Sequence, residues 1–298
     1  MASKNKHQVD ELVNEGKKDK KNINNLGTLV ELVSSSTSDL SRFYALNGAF
    51  QLLEYYVKKF GMHKRSAKED ESKVNAEKEV SSWLFDMHCD CLKHAGELLM
   101  EVEKEDLKQK LVDLYLELLK MSGESFFNDV EFQGGLRQED IAALVEFASK
   151  RKEDESGEEN MYYIVESSKK VLSCLDFSHA FLHSILTKIT SKRDPEPKTM
   201  RYLFGLLKSI SENMDANEEK YLLDPQQPTD FALKKRKKKL GVKCIKKKFS
   251  SCWLEFLSFN LPSSIVKSVL IMLEDDILPN IQQPRLLYDF LLKYVSFV

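Results

Sequence analysis

The last fifty residues, Phe249 to Val298, constrain the fold more than any other stretch of the chain. Phe249, Trp253, Phe256, Leu257 and Leu261 recur at three- and four-residue steps, which lines their side chains along one face of a helix. Pro262 ends that helix, because proline lacks a backbone N–H and clashes with the preceding turn, and it suits the first turn of the next one. Ile265, Val266, Val269, Leu270 and Leu273 form a second stripe, closed by Asp275-Asp276 and the Leu278-Pro279 break around Ile277. Pro284 opens a third helix, with Leu287, Phe290, Leu291, Tyr294 and Val298 on its inner face.

The rest of the chain reads the same way. A short helix is expected over Ile23 to Val33, and another over Leu40 to Phe60 with Phe43, Leu46, Phe50, Leu53 and Val57 inward. The stretch His63 to Lys73 is then a charged loop. Val74 to Val102 carries Trp83, Leu84, Met87, Cys91, Leu92, Ala95, Leu98 and Leu99 on one face. Leu107, Leu111, Leu114, Tyr115, Leu118 and Leu119 stripe the next helix, Asp106 to Met121. Further helices follow at Leu136–Lys150, Met161–Leu175, Ser178–Ser191 and Thr199–Asn213, interrupted at Gly134-Gly135, at the acidic linker Glu153–Glu159 and at Asp194–Pro197. With only 11 Gly and 7 Pro in 298 residues, the chain lacks the turn residues of a β-sandwich. The expected fold is all-α, a HEAT-like α-solenoid of helices paired by short polar loops, although no clean repeat period is present.

Charge marks a boundary within this array. The formal net charge is −2, yet Lys234, Lys235, Arg236, Lys237, Lys238, Lys239, Lys243, Lys246, Lys247 and Lys248 fall in one fifteen-residue run without an acid. The remaining 35 bases face 47 acids, so one basic segment sits on an acidic body. Such a run is a solvated linker, a nuclear-import signal or a contact for the RNA backbone. Mutual repulsion favours an extended chain, and the expected organisation follows. Residues 1–25 are a mobile basic and polar arm, 26–213 a helical-repeat region, 214–248 a disordered linker with the basic cluster, and 249–298 a separate helical region. The five cysteines are odd in number and scattered, as in an intracellular protein with reduced thiols. No secretory signal opens the chain, and no apolar run approaches the roughly 18 residues that span a bilayer.

Catalytic chemistry finds no seat. Asp176, His179 and His183 share one helix face, and two histidines four apart can chelate zinc. Ala180 stands where a metalloprotease helix places its glutamate base, and Asp176 suits a first-turn acid, so helix packing is the preferred reading. His88, Cys89, Cys91 and His94 form a second apparent cluster, but a helix sets His88 and His94 about 9 Å apart along its axis. Phosphate loops, dinucleotide fingerprints and nucleophile elbows are absent from the sequence, so neither catalytic, cofactor-binding nor metal-ligating residues are assigned.

The C-terminal spacing carries a resemblance. Phe249, Trp253-Leu254, Phe256-Leu257, Leu261-Pro262, Lys267, Leu270, Ile277-Leu278-Pro279, Ile281, Pro284, Leu287 and Asp289-Phe290-Leu291 resemble the start of the CBF domain, named for a CCAAT-binding factor. Within that family of nucleolar ribosome-assembly factors the order is most similar to the nucleolar complex protein 4 group. The Trp83-Leu84, Met87-His88, Cys89 order is a weaker match to the N-terminal helical region of the same group. The resemblance implies a non-enzymatic scaffold of the small-subunit processome, in the nucleolus, acting with nucleolar protein 14 in pre-rRNA processing and in maturation and export of small-subunit precursors. It also implies that the CBF domain is incomplete here, stopping before a segment like S-L-L-A-L-N-G-L-F and leaving apolar surface uncovered. The alternative, a transcriptional regulator of the CCAAT-binding type, lacks helix-turn-helix, zinc-finger and basic-zipper signatures.

Overall fold

The computed structural model describes residues 2–64, 75–126, 136, 138–149, 171–191, 195–214, 220–223 and 228–295. Most of the expected His63–Lys73 loop, Gly134-Gly135, Glu153–Glu159, most of the Met161–Leu175 helix, Asp194, Asp224-Pro225 and Val298 lie outside the described residues. Among those described, every regular element is helical, so the all-α expectation holds. No described helix is long and apolar enough to cross a membrane. The chain forms two compact units, Met1–Asn128 and Asp129–Val298.

The first unit holds α1 (Ala2–Lys18), a 3₁₀ turn (Lys20–Asn24), α2 (Asn25–Ser35), α3 (Asp39–Phe60), α4 (Ala76–Glu101) and α5 (Glu105–Ser125). Its centre is α3, which packs against α1, α2, α4 and α5. Surrounded in this way, α3 buries Ala45, Ala49, Leu52 and Tyr56 along with the expected Leu46 and Leu53, while Phe43, Phe50 and Val57 are only half-buried. The expected mobile arm is a correction: residues 2–18 are helical and docked. Val9 and Val13, four apart, are buried against Gly48, where a Cβ would stand 2.6 Å from Val9 Cγ1. The missing side chain lets α1 and α3 approach closely. The Tyr56 hydroxyl donates to the Gly16 carbonyl at 2.6 Å and fastens the same contact.

The second unit holds α6 (Gln138–Ser149), α7 (Leu175–Thr190), α8 (Pro197–Asn213), α9 (Asp230–Leu240), α10 (Val242–Leu257), α11 (Ser263–Met272) and α12 (Tyr288–Val295). A π turn (Leu273–Ile277) and 3₁₀ turns (Leu278–Asn280, Pro284–Leu287) link the last two. Helix α10 is the hub, packed against α7, α8 and α9. Its row Ile245, Phe249, Cys252, Trp253 and Phe256 is fully sealed from solvent. Trp253 meets Phe256 edge-on at 6.1 Å, and its indole N–H donates to Ser211 Oγ at 3.2 Å. A buried indole needs such a partner, and Ser211 serves because it also donates to the Leu207 carbonyl.

Candidate functional site

The basic run is the second correction, because Lys234 to Lys248 is not a disordered linker. Residues Lys234–Leu240 belong to α9, and Val242–Lys248 form the first turns of α10. Local chemistry explains why repulsion loses. Lysine is a good helix former. Thr229 Oγ1 accepts from the Ala232 N–H at 3.2 Å, Asp230 occupies the first turn, and Lys237, Lys238 and Lys239 occupy the last. Acid at the N-terminus and base at the C-terminus both complement the helix dipole. Gly241 joins the two helices, and a Cβ there would lie 2.5 Å from the Lys237 carbonyl oxygen. Only glycine permits this tight junction.

One member of the run faces inward. Ala232, Arg236 and Leu240, four residues apart, form the buried row of α9. Arg236 is 7% exposed; its guanidinium lies 3.7 Å from the Tyr221 ring centre and donates to the Leu223 carbonyl at 2.8 Å. A planar guanidinium can stack and donate together, which an ammonium cannot do as well. Arg236 Nη2 also stands 3.9 Å from Asp176 Oδ2. Asp176, at the start of α7, accepts from the backbone N–H groups of Phe177 (3.0 Å), Leu222 (2.8 Å) and Leu223 (3.0 Å). Burial pushes its carboxyl up, while the Leu222, Leu223 and Phe177 N–H bonds and Arg236 act in the opposite sense. Three N–H donors and one guanidinium charge converge on this carboxylate. That is an anchor between α7, α9 and the 220–223 segment.

The other bases divide by task. Lys246 donates to the Pro279 carbonyl at 3.1 Å, and Lys235 lies 5.2 Å from the Phe231 ring centre. Lys248 donates to His183 Nδ1 at 2.8 Å. Lys234, Lys237, Lys238, Lys239, Lys243 and Lys247 are exposed. With 3.6 residues per turn, Lys234 and Lys238 fall on the side of α9 opposite Arg236, and Lys237 lies on its flank about 100° away. The groove between α3 and α5 is lined by Glu54, Lys58, Lys120 and Glu124, with Lys58 and Glu54 paired at 2.7 Å.

The remaining candidates are spread through the two units. His88 is fully buried, and its Nε2–H donates to the Leu118 carbonyl at 3.0 Å. His94 instead lies 3.2 Å from Ser34 Oγ and 3.0 Å from Glu97 Oε2. Burial pushes the Cys91 thiol up to about 12, and Cys89 is half-buried. No group of three metal-ligating side chains occurs among the described residues.

The motif residues of the last fifty split between core and surface. Phe249, Trp253, Phe256, Leu257, Leu261, Ile277, Leu287 and Phe290 are buried. Pro262 and Leu278 are half-buried, while Lys267, Pro279, Pro284 and Asp289 are exposed. Two expectations change in detail. Helix α10 closes at Ser258, and Leu261 is buried beyond it, its N–H bonded to the Tyr294 hydroxyl at 3.3 Å. Leu270 is 41% exposed, since Ile265, Val266, Val269 and Met272 fill the inner face of α11. With Ile271, Leu286, Tyr288 and Leu292 it belongs to the exposed large apolar residues of this region.

Comparison with known proteins finds partial similarity. A chicken nucleolar complex protein 4 homologue is 26% identical over 244 residues, 76% of this chain and 44% of that protein. An uncharacterised protein of Schizosaccharomyces pombe is 22% identical over 306 residues, 95% of this chain and 56% of its own length. A zebrafish nucleolar complex protein 4 homologue is 30% identical over 156 residues, 51% of this chain and 28% of that protein. No family model and no solved structure matches the chain. The chain spans about half the length of the first two of these relatives. The resemblance carried by the C-terminal motif spacing is thus matched by overall similarity: this chain is similar to the nucleolar complex protein 4 homologues over part of their length.

Proposed function

We propose that the chain acts as a non-enzymatic scaffold in nucleolar ribosome assembly, as part of the small-subunit processome. In this reading it serves pre-rRNA processing and the maturation and nuclear export of small-subunit precursors, with nucleolar protein 14 as its protein partner. The similarity to nucleolar complex protein 4 homologues supports the pathway. The observation that carries the molecular role is the anchored basic platform of α9 and α10. Six exposed lysines stand on helices fixed to the core through Arg236 and Asp176. A rigid array of cations gains more from a phosphate backbone than a floppy one, because less ordering is needed on binding. The same exposed lysines serve as the nuclear-import signal. Arg236, being buried, takes no part in either.

The helices of 26–213 are read as HEAT-like repeats and 249–298 as the beginning of a CBF domain. Its exposed positions Lys267, Pro279, Pro284 and Asp289, flanked by the apolar Leu270, Ile271, Leu286, Tyr288 and Leu292, form the protein-partner surface. Exposed apolar groups in such number mark interaction surfaces. The test is purification of the tagged chain from cells, with identification of the bound proteins and RNA. Small-subunit precursor RNA and nucleolar protein 14 are expected. Their absence, with the chain spread outside the nucleolus, would overturn the reading.

A further inference from the structure

Two imidazoles and an ammonium gather near the anchor, and among the described residues no carboxylate pairs with them. His179 and His183 lie one turn apart on α7, and the Lys248 ammonium of α10 donates one proton to His183 Nδ1 at 2.8 Å. This bond places the proton of neutral His183 on Nε2 and leaves two ammonium protons on Lys248. Burial first, then Lys248, His183 and Lys239, hold His179 down to about 4. Burial also lowers both Lys248 and His183.

Among the described residues, the neighbouring titratable groups are otherwise engaged or neutral. Asp176 is committed to three backbone N–H groups and Arg236. On the next turns of α7, Lys188 pairs with Glu146 at 2.7 Å. The Cys252 thiol is pushed up to about 12, chiefly by burial, and stays neutral. Among the described residues, no carboxylate forms an ion pair with Lys239 or Lys248. A partly buried ammonium beside two imidazoles held neutral loses hydration that a bound anion would offset, and the same anion would favour protonation of the imidazoles.

We propose that His179, His183 and Lys248 form a subsite for a phosphate group. The proposal deepens the RNA reading of α9 and α10, on which it rests, by assigning one backbone phosphate to a defined set of side chains. Two imidazoles and an ammonium group offer only donors once the histidines are protonated, which matches the acceptor-only oxygens of phosphate. Binding therefore draws protons onto His179 and His183.

The experiment is histidine-resolved NMR titration of the full chain, with inorganic phosphate in one arm and a twelve-nucleotide single-stranded RNA in the other. Either ligand should raise the apparent pKa of His179 and His183 by roughly half a unit or more, as a nearby anion does. Lys248→Met should weaken RNA binding about tenfold, the scale of a hydrogen bond to a charged group, whereas Lys93→Gln, at an exposed position of α4, should change it by about twofold or less. A shift with RNA alone assigns the subsite to nucleic acid. A shift with phosphate alone keeps the subsite but removes the RNA reading. If RNA binds and neither histidine moves in either arm, the subsite is overturned while the basic platform stands. The wild-type titration decides this even if Lys248→Met fails to fold.

Discussion

Arg236 and Asp176, sixty residues apart in the chain, meet at 3.9 Å with both side chains buried. The only arginine in a run of lysines is the one that faces the core. That relationship turns a basic segment into a fixed surface. Removing one partner of a buried pair leaves the other charge uncompensated. Arg236→Ala should therefore cost about 3 kcal/mol in urea unfolding of the full chain, and Arg236→Lys should recover only part of it. A loss below about 0.5 kcal/mol, the range of an ordinary surface change, would show that the pair anchors nothing.

The close approach of α1 and α3 gives a second prediction. Gly48→Val places branched carbons where Val9 and Val13 already stand, so α1 must move off α3. We expect a cost of about 1–3 kcal/mol, as for other overpacked sites. Amide exchange should accelerate across residues 2–18 while α4 and α5 remain protected. Unchanged exchange in α1 would mean that the helix accommodates the larger side chain.

His179 supplies a pH dependence. Its folded value, held down to about 4, lies below the unfolded 6.5, so the unfolded chain binds more protons between these values. Stability is complete above about pH 6.5 and is lost as pH falls toward 4, by an amount on the order of 3 kcal/mol. Thermal unfolding measured over this window should show a smaller drop for His179→Gln than for the unaltered chain. Equal slopes would remove His179 from the linkage. Bound phosphate should flatten the same slope.

Much of this architecture is legible in the apolar periodicity. The stripes of α4, α5, α8 and α10 stand out because each helix buries one face against neighbours, and Trp253 and Phe256 fall where spacing puts them. Features set by partners distant in sequence do not stand out. Val9, Leu12, Val13 and Gly16 keep helical spacing, yet among lysines and asparagines their burial depends on Gly48 and Leu52 of α3. Repulsion alone argues against helix in the basic run, although Thr229 and Asp230 carry a helix-start signal just before it. Asp176 is legible as a first-turn acid. Nothing nearby in sequence announces that it holds Leu222, Leu223 and Arg236. Leu270 departs from its expected stripe because one residue of helix is about 100° of rotation, enough to carry it to the rim.

The junction glycine gives a local test of the platform's geometry. Gly241→Ala would bring a methyl group to 2.5 Å from the Lys237 carbonyl, so the α9–α10 junction must open. Helix content by circular dichroism should change little, while limited proteolysis after Lys237, Lys238 and Lys239 should quicken. Resistance equal to that of the unaltered chain would show that the junction tolerates a side chain.

The most direct test of the central claim is the salt dependence of RNA binding after replacing Lys234, Lys237, Lys238, Lys239, Lys243 and Lys247 with glutamine. Because these side chains are exposed and Arg236 is retained, the variant should unfold within roughly 0.5 kcal/mol of the unaltered chain per replaced residue. Binding should weaken, and the slope of log K against log salt should fall by about 0.7 for every phosphate that is no longer neutralised. A variant that keeps both the fold and the full salt slope would contradict the assignment of α9 and α10 as the RNA-contacting surface.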